Sequence, residues 1–290
     1  MWQAITQQLS DVLSFEFILR EKERLNDGET NRCYLIGDGE QRYFIKVNER
    51  NCLAKFEAEF ENLSALNATA TLCVPEPILC GTTKTHSFLV LNHYVTKPLQ
   101  LDADFYQLGQ QLARLHCWGE QRDYGYDADT YVGLNLQPNA WHKKWCLFFA
   151  EHRIGWQLQL LKEKGIEFGD IETIVQKVKL SLAGHQPNPS LLHGALSRHN
   201  VALSFAGPLC YDPSSFWGDR EYDLAIAEYD GPANAAFMQG YQALSPLDNG
   251  YQQRKTVYQL YYLLCLCNQY GGEYLIECDN TISSFLVEKH

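Results

Sequence analysis

Leu191-Leu192-His193-Gly194-Ala195-Leu196-Ser197-Arg198-His199-Asn200, followed by Tyr211-Asp212-Pro213, is the stretch that decides how this chain of 290 residues is read. Two apolar residues precede His-Gly, an Asn closes the loop, and an isolated Asp follows an apolar run. An Asn amide oxygen and a later Asp carboxylate are hard ligands suited to Mg²⁺ shared with nucleotide phosphates. In a phosphoryl-transfer loop of this layout, the position two after the His carries an Asp that accepts the proton of the acceptor hydroxyl. Here that position is Ala195. His193 reads as a brace of the loop. Taken singly, Asn200 reads equally as a loop cap and Asp212 as a turn residue before Pro213.

Working outward, the first hundred residues differ in pattern from the rest. Residues 15–25, 32–36 and 41–47 read as three short strands joined by Asn26-Asp27-Gly28 and Gly37-Asp38-Gly39, an antiparallel meander. A helix is expected over about 53–67, with Phe56, Phe60 and Leu63 on one face. Val74-Pro75-Glu76-Pro77 breaks it, and residues 87–94 form another apolar strand. After Lys97-Pro98 the pattern turns helical, over 105–118, 145–164, 171–182 and 251–269. The expected fold is α+β and bilobal, protein-kinase-like: a small antiparallel-sheet lobe with one main helix over 1–95, and a larger, mostly helical lobe over 96–290. Nucleotide is expected in the cleft between them.

Within the small lobe, Tyr43-Phe44-Ile45-Lys46-Val47 ends the third strand. Alone, Lys46 reads as a solvated strand lysine; with a carboxylate to position it, it could neutralise phosphate oxygens. At about 100° per residue, Glu59 lies about 60° from the centre of the apolar helix face, with Glu57 and Glu61 further out. Glu59 is therefore the acid best placed to meet Lys46. The Asn26-Asp27-Gly28-Glu29 turn falls where a phosphate-covering loop would lie, with Gly28 first a turn residue and second a phosphate contact. The strand ending at Asn92-His93-Tyr94 would form the hinge, where backbone groups at Asn92 and Tyr94 could pair with adenine; by sequence it is only a buried strand.

The hydrophobic fraction of 46% and the aromatic fraction of 13% are those of a globular chain. A net charge of -11 without a basic run argues against a nucleic-acid partner. Ten cysteines are scattered through apolar runs without a Cys-x-x-Cys, which reads as reduced thiols rather than a zinc site or a disulfide framework. Met1-Trp2-Gln3-Ala4 does not begin a signal peptide, no apolar run approaches ~18 residues, and a cytoplasmic location with no membrane partner is expected.

The residues quoted above resemble those of the fructosamine kinase family, within the aminoglycoside/choline kinase-like phosphotransferases. The likeness extends through Ala58-Glu59, Leu112-Ala113-Arg114-Leu115-His116, Gln137-Pro138-Asn139, Phe148-Phe149-Ala150-Glu151-His152-Arg153 and Pro189-Ser190. It is most specific in Asp212-Pro213-Ser214-Ser215-Phe216-Trp217-Gly218-Asp219-Arg220-Glu221-Tyr222-Asp223-Leu224-Ala225. The resemblance implies ATP and Mg²⁺ as cofactors and phosphorylation of the sugar 3-hydroxyl of a small-molecule ketoamine (a fructosamine or ribulosamine), which releases the amine. By position, Lys46 would hold phosphates, Glu59 orient it, and Asn200 and Asp212 bind metal, while Arg220, Glu221 and Asp223 would brace the metal-binding loop. The family reads His-Gly-Asp-Leu-Trp-x-Gly-Asn where this chain has Ala195, Ser197 and His199, so both the base and an aromatic platform for the sugar are replaced. His199 and Asp219 are the substitute bases the sequence offers. Two other readings stand beside a slow ketoamine kinase: a nucleotide-binding pseudokinase acting on a partner, and a kinase for another small hydroxylated amine.

Overall fold

The computed structural model describes residues 1–25 and 30–287. In chain order the elements are α1 (Trp2–Leu13), β1 (Glu21–Arg24), β2 (Arg32–Gly37), β3 (Arg42–Glu49), α2 (Leu53–Thr69), β4 (Pro77–Thr82), β5 (His86–Asn92) and α3 (Asp102–His116). There follow β6 (Thr130–Val132), β7 (Asn135–Gln137), α4 (Trp145–Phe148), α5 (Trp156–Glu163), α6 (Ile171–Leu182), β8 (Ser190–Leu191), β9 (Val201–Ser204) and β10 (Gly207–Cys210). The chain ends with β11 (Trp217–Gly218), α7 (Glu221–Asp230), α8 (Ala235–Gln242), α9 (Tyr251–Tyr270) and α10 (Glu273–Val287). Backbone contacts divide them into two compact units, Met1–Leu99 with Ala202–Pro213, and Gln100–Val201 with Ser214–His290. No helix among the described residues is long and apolar enough to cross a membrane.

The first unit is built on an antiparallel sheet of order β1-β2-β3-β5-β4. Strand alternation sorts its side chains: Tyr43, Ile45 and Val47 of β3 and Phe88 and Val90 of β5 join one apolar cluster. That cluster is closed by Ile5 and Leu9 of α1, each fully buried and each contributing about 2 kcal/mol of burial. Lys46 and Asn48 therefore point to the other face. α1 is a helix that the sequence reading lacks; its apolar positions, Trp2, Ile5, Leu9 and Leu13, carry helical spacing. The first expected strand, over 15–25, is confined to Glu21–Arg24, and β4 is a strand not anticipated behind Val74-Pro75-Glu76-Pro77. The β2–β3 turn is fixed by Asp38, whose Oδ1 accepts from the N–H groups of Glu40 and Gln41 at 2.9 and 2.8 Å.

The second unit packs its helices around one aromatic-rich core in which Trp145, Phe148, Phe149, Phe216, Tyr222, Tyr258 and Tyr261 are all buried. α3 and α8 come together at Gly109 and Gly240, where a Cβ on either would fall 2.1 Å from a carbonyl oxygen of the other helix. The helix expected over 145–164 is interrupted: Phe149–Gly155 is a π-helical stretch between α4 and α5. Its Arg153 is fully buried between the rings of Phe148 and Phe216, at 4.6 and 4.1 Å from their centroids. A buried guanidinium needs acceptors; Pro138 O and Asn139 Oδ1 each take one bond at 2.6 Å.

Candidate active site

Lys46 is the centre of the first unit's polar cluster. Its ammonium, only 5% exposed, donates to Glu59 Oε1 at 2.7 Å and also meets Asp212. The pairing expected from helix angles is thus present, and Glu57 and Glu61 are exposed while Glu59 is buried. Burial by itself pushes the lysine toward its neutral form, but Asp212 and Glu59 outweigh it and hold its pKa above the ordinary value. Glu59 is shifted up, first by burial, with Lys46 opposing. A buried ion pair is weak evidence for stability because desolvation consumes the Coulomb gain. Its retention points to the charge itself. Asp212 has φ of 54°, a left-handed conformation uncommon outside glycine. Its side chain remains 47% exposed although it touches a buried ammonium, which leaves carboxylate surface for a cation.

β5 ends at Asn92, whose Nδ2 donates to Glu76 Oε2 at 2.7 Å. Its side chain is thus engaged within the unit. Beyond it, among the described residues, the N–H groups of Tyr94, Val95 and Thr96 enter no backbone hydrogen bond. Tyr94 is stacked on Phe205, with centroids 6.4 Å apart and planes at 19°. Gly28 lies outside the described residues.

In the second unit, the turn at His193-Gly194 is held through its backbone. Asp223, fully buried on α7, accepts from the N–H groups of His193 and Gly194 at 2.7 and 2.8 Å. His116 Nε2 lies 3.2 Å from the same carboxylate. The His193 carbonyl accepts from Ser214 N–H at 2.9 Å, and Gln137 Nε2 donates to Ser214 Oγ at 3.1 Å. Gly194 has φ of 81°, and a Cβ there would meet Ser214 O at 2.0 Å, so no other residue fits. Asp223 therefore braces the His-Gly turn that opens the loop ending at Asn200.

Ala195 is 8% exposed, and its carbonyl accepts from Asn200 Nδ2 at 2.8 Å. That bond fixes the Asn200 amide and leaves its Oδ1 without a hydrogen bond among the described residues. Ser197 is buried. His199 is exposed on a short 3₁₀ turn, Arg198–Asn200. Asp219, the other substitute base, is buried and already engaged by His185 at 2.6 Å, the Tyr258 hydroxyl at 2.5 Å and the Glu221 N–H at 3.1 Å. His185, Asp219 and Glu221 bring ligand atoms within 4.8 Å of one another, but Arg254 holds both oxygens of Glu221, at 2.6 and 2.7 Å. Sequence reasoning missed His185 and Arg254 because their partners lie more than thirty residues away.

The profile of the family described as Fructosamine kinase matches residues 1–288. A "Probable ketoamine kinase" of Vibrio vulnificus is 54% identical over 286 residues, 99% of each chain. A crystal structure of a fructosamine-3-kinase candidate from Haemophilus somnus superposes with a TM-score of 0.95 at 38% identity, covering 99% of this chain and 98% of that one. The choline kinase LicA of Streptococcus pneumoniae, at 16% identity and a TM-score of 0.67 over 99% and 98% of the two chains, shares the fold. The chain belongs to the fructosamine kinase family, and its fold is the α+β, bilobal, kinase-like one.

Proposed function

We propose that this member of the fructosamine kinase family is an ATP-dependent phosphotransferase acting on the 3-hydroxyl of a small ketoamine, turning over slowly for want of a carboxylate at position 195. The observation that carries this reading is the buried Lys46 ammonium gripped by Glu59 and Asp212. Two carboxylates keep a cation charged in a place where burial alone would discharge it, which is of use if an anion is to be bound. Lys46 would bind nucleotide phosphate oxygens, Glu59 would fix its direction, and the backbone groups from Asn92 to Tyr94 would pair with adenine.

The donor set fits Mg²⁺. Asp212 offers a half-exposed carboxylate beside Lys46, and Asn200 carries an amide oxygen that accepts no hydrogen bond among the described residues; each is a hard ligand. A bound ion would neutralise phosphate charge. Phosphoryl transfer has a loose transition state whose charge lies on the transferred group, so the acceptor proton can leave late. A positioned base contributes about 10²–10⁴-fold, and Ala195 forgoes that factor without removing the electrostatic part of catalysis. Exposed His199 and committed Asp219 offer no ready replacement.

A second reading, a nucleotide-binding pseudokinase, is favoured by the same Ala195, since the loop keeps its fold without its base. Phosphorylation of fructoselysine by ATP and Mg²⁺ separates the two: turnover above that of Lys46→Ala supports the enzyme, and equal rates sink it. A kinase for another small hydroxylated amine, suggested by Ser197 in place of an aromatic platform, would show turnover with such an amine in place of the ketoamine.

A further inference from the structure

Lys55 stands one helical turn before Glu59 on α2, and the chemistry above makes no use of it. Its side chain is partly buried, and its ammonium donates to Thr30 Oγ1 at 3.1 Å. Among the described residues no carboxylate pairs with it. Thr30 is itself fixed, because Asn48 Nδ2 donates to Thr30 O at 2.8 Å and to Asn31 Oδ1 at 2.9 Å. Asn48 lies two residues after Lys46 on β3, and so shares its face of the sheet. Lys55 lies four residues before Glu59, and so shares its face of the helix. Two strand residues advance about 6.6 Å and four helical residues about 6 Å. The Lys46–Glu59 pair and the Asn48–Thr30–Lys55 chain are thus successive rungs between the same strand and helix.

The second rung differs from the first in ending on a cation with no paired carboxylate among the described residues. Burial lowers the Lys55 pKa, with Lys46 acting in the same sense and Glu59 and Asp212 against it. One ammonium proton is taken by Thr30, and two remain to be donated. A partly buried cation bonded to one neutral hydroxyl, with no paired carboxylate among the described residues, beside a second lysine and a carboxylate apt for Mg²⁺, matches a polyanion with several oxygens along a short chain. We infer that Lys55 is a second phosphate-binding lysine, contacting the phosphate tail of a nucleoside triphosphate alongside Lys46. The inference rests on the nucleotide-dependent reading of the site.

Calorimetric titration of the full chain with ATP and with adenosine tests it, using the unmodified protein, Lys46→Met, Lys55→Met and Lys55→Arg, with thermal midpoints to confirm folding. Lys55→Met is expected to weaken ATP binding by about tenfold, the worth of one charge-assisted hydrogen bond at a partly exposed site. Adenosine binding should stay the same, and Lys55→Arg should retain most of the ATP affinity. Unchanged ATP affinity in Lys55→Met, or equal weakening of ATP and adenosine, would reduce Lys55 to a tether for Thr30 and overturn the inference. If ATP binding is lost in Lys46→Met but kept in Lys55→Met, only the Lys55 assignment falls. If the unmodified protein binds neither probe, the nucleotide reading falls and the Lys55 assignment with it.

Discussion

The Lys46 cluster and the 193–200 loop are held in opposite ways. In the cluster, side chains hold side chains: Lys46 is fixed by Glu59 and Asp212, and each is also a candidate for chemistry. In the loop, a side chain outside it holds the backbone: Asp223 takes the N–H groups of His193 and Gly194, and Ser214 N–H takes the His193 carbonyl. The difference explains which positions could change. Replacing Lys46 leaves the buried Glu59 carboxylate without its ammonium, and replacing Glu59 leaves the buried Lys46 with Asp212 alone, whereas Ala195, Ser197 and His199 lie on a turn whose His-Gly corner is held by Asp223. A loop anchored by its backbone can lose its base and keep its fold.

The largest effect expected from breaking this contrast is that of Lys46→Met. Turnover should fall by about 10²–10³-fold, the usual cost of removing one electrostatic stabiliser. Urea unfolding should show a loss of about 3–5 kcal/mol, since Glu59 stays buried without its partner. The double variant Lys46→Met/Glu59→Leu should regain stability and not activity; recovery of both would mean that the cluster is architecture only. Next in size is Asp223→Ala, which strands two buried backbone N–H groups and should cost about 3 kcal/mol. Unchanged stability there would remove the claim that the loop is anchored through its backbone.

Ser197→Ala sharpens the comparison from the other side. It deletes one buried hydroxyl and should change stability by no more than about 1 kcal/mol, with turnover little altered. A tenfold change in turnover would place Ser197 in the chemistry. The smallest effect is one of pH, in a region belonging to neither. Burial, with Arg153 beside it, lowers the His152 pKa. The folded state thus binds this proton less readily than the unfolded chain, so the His152 contribution is present above about pH 6.5 and lost as pH falls below it. The thermal midpoint of His152→Gln should decline less steeply than that of the unmodified protein between pH 7 and 5; parallel slopes would contradict the assignment.

What could be read from the sequence follows the same divide. Strand alternation turned Lys46 away from Tyr43, Ile45 and Val47, and helix angles chose Glu59 over Glu57 and Glu61, because both are local rules with fixed periods. The family likeness drew attention to Asp223, but its partner could not be read, since a bond from α7 to a turn thirty residues earlier has no local signature. The π-helical stretch around Arg153 escaped for a similar reason. Its helical period persists, and only a buried guanidinium sandwiched by Phe148 and Phe216 marks the site. α1 has a local signature of its own, the 3.6-residue spacing of Trp2, Ile5, Leu9 and Leu13. Lys55 shows the remaining gap: a lysine in the first turn of a helix looks solvated until Thr30 and Asn48 are placed beside it.

The most direct test of the central claim is steady-state phosphorylation of fructoselysine by ATP under saturating Mg²⁺, comparing the unmodified chain with Ala195→Asp and Lys46→Ala. A retained cluster with a lost base predicts slow turnover by the unmodified chain, none above background for Lys46→Ala, and a rise of about 10²–10⁴-fold for Ala195→Asp. No turnover by either the unmodified chain or Ala195→Asp would contradict the account, leaving a nucleotide-binding protein or a kinase for a different amine.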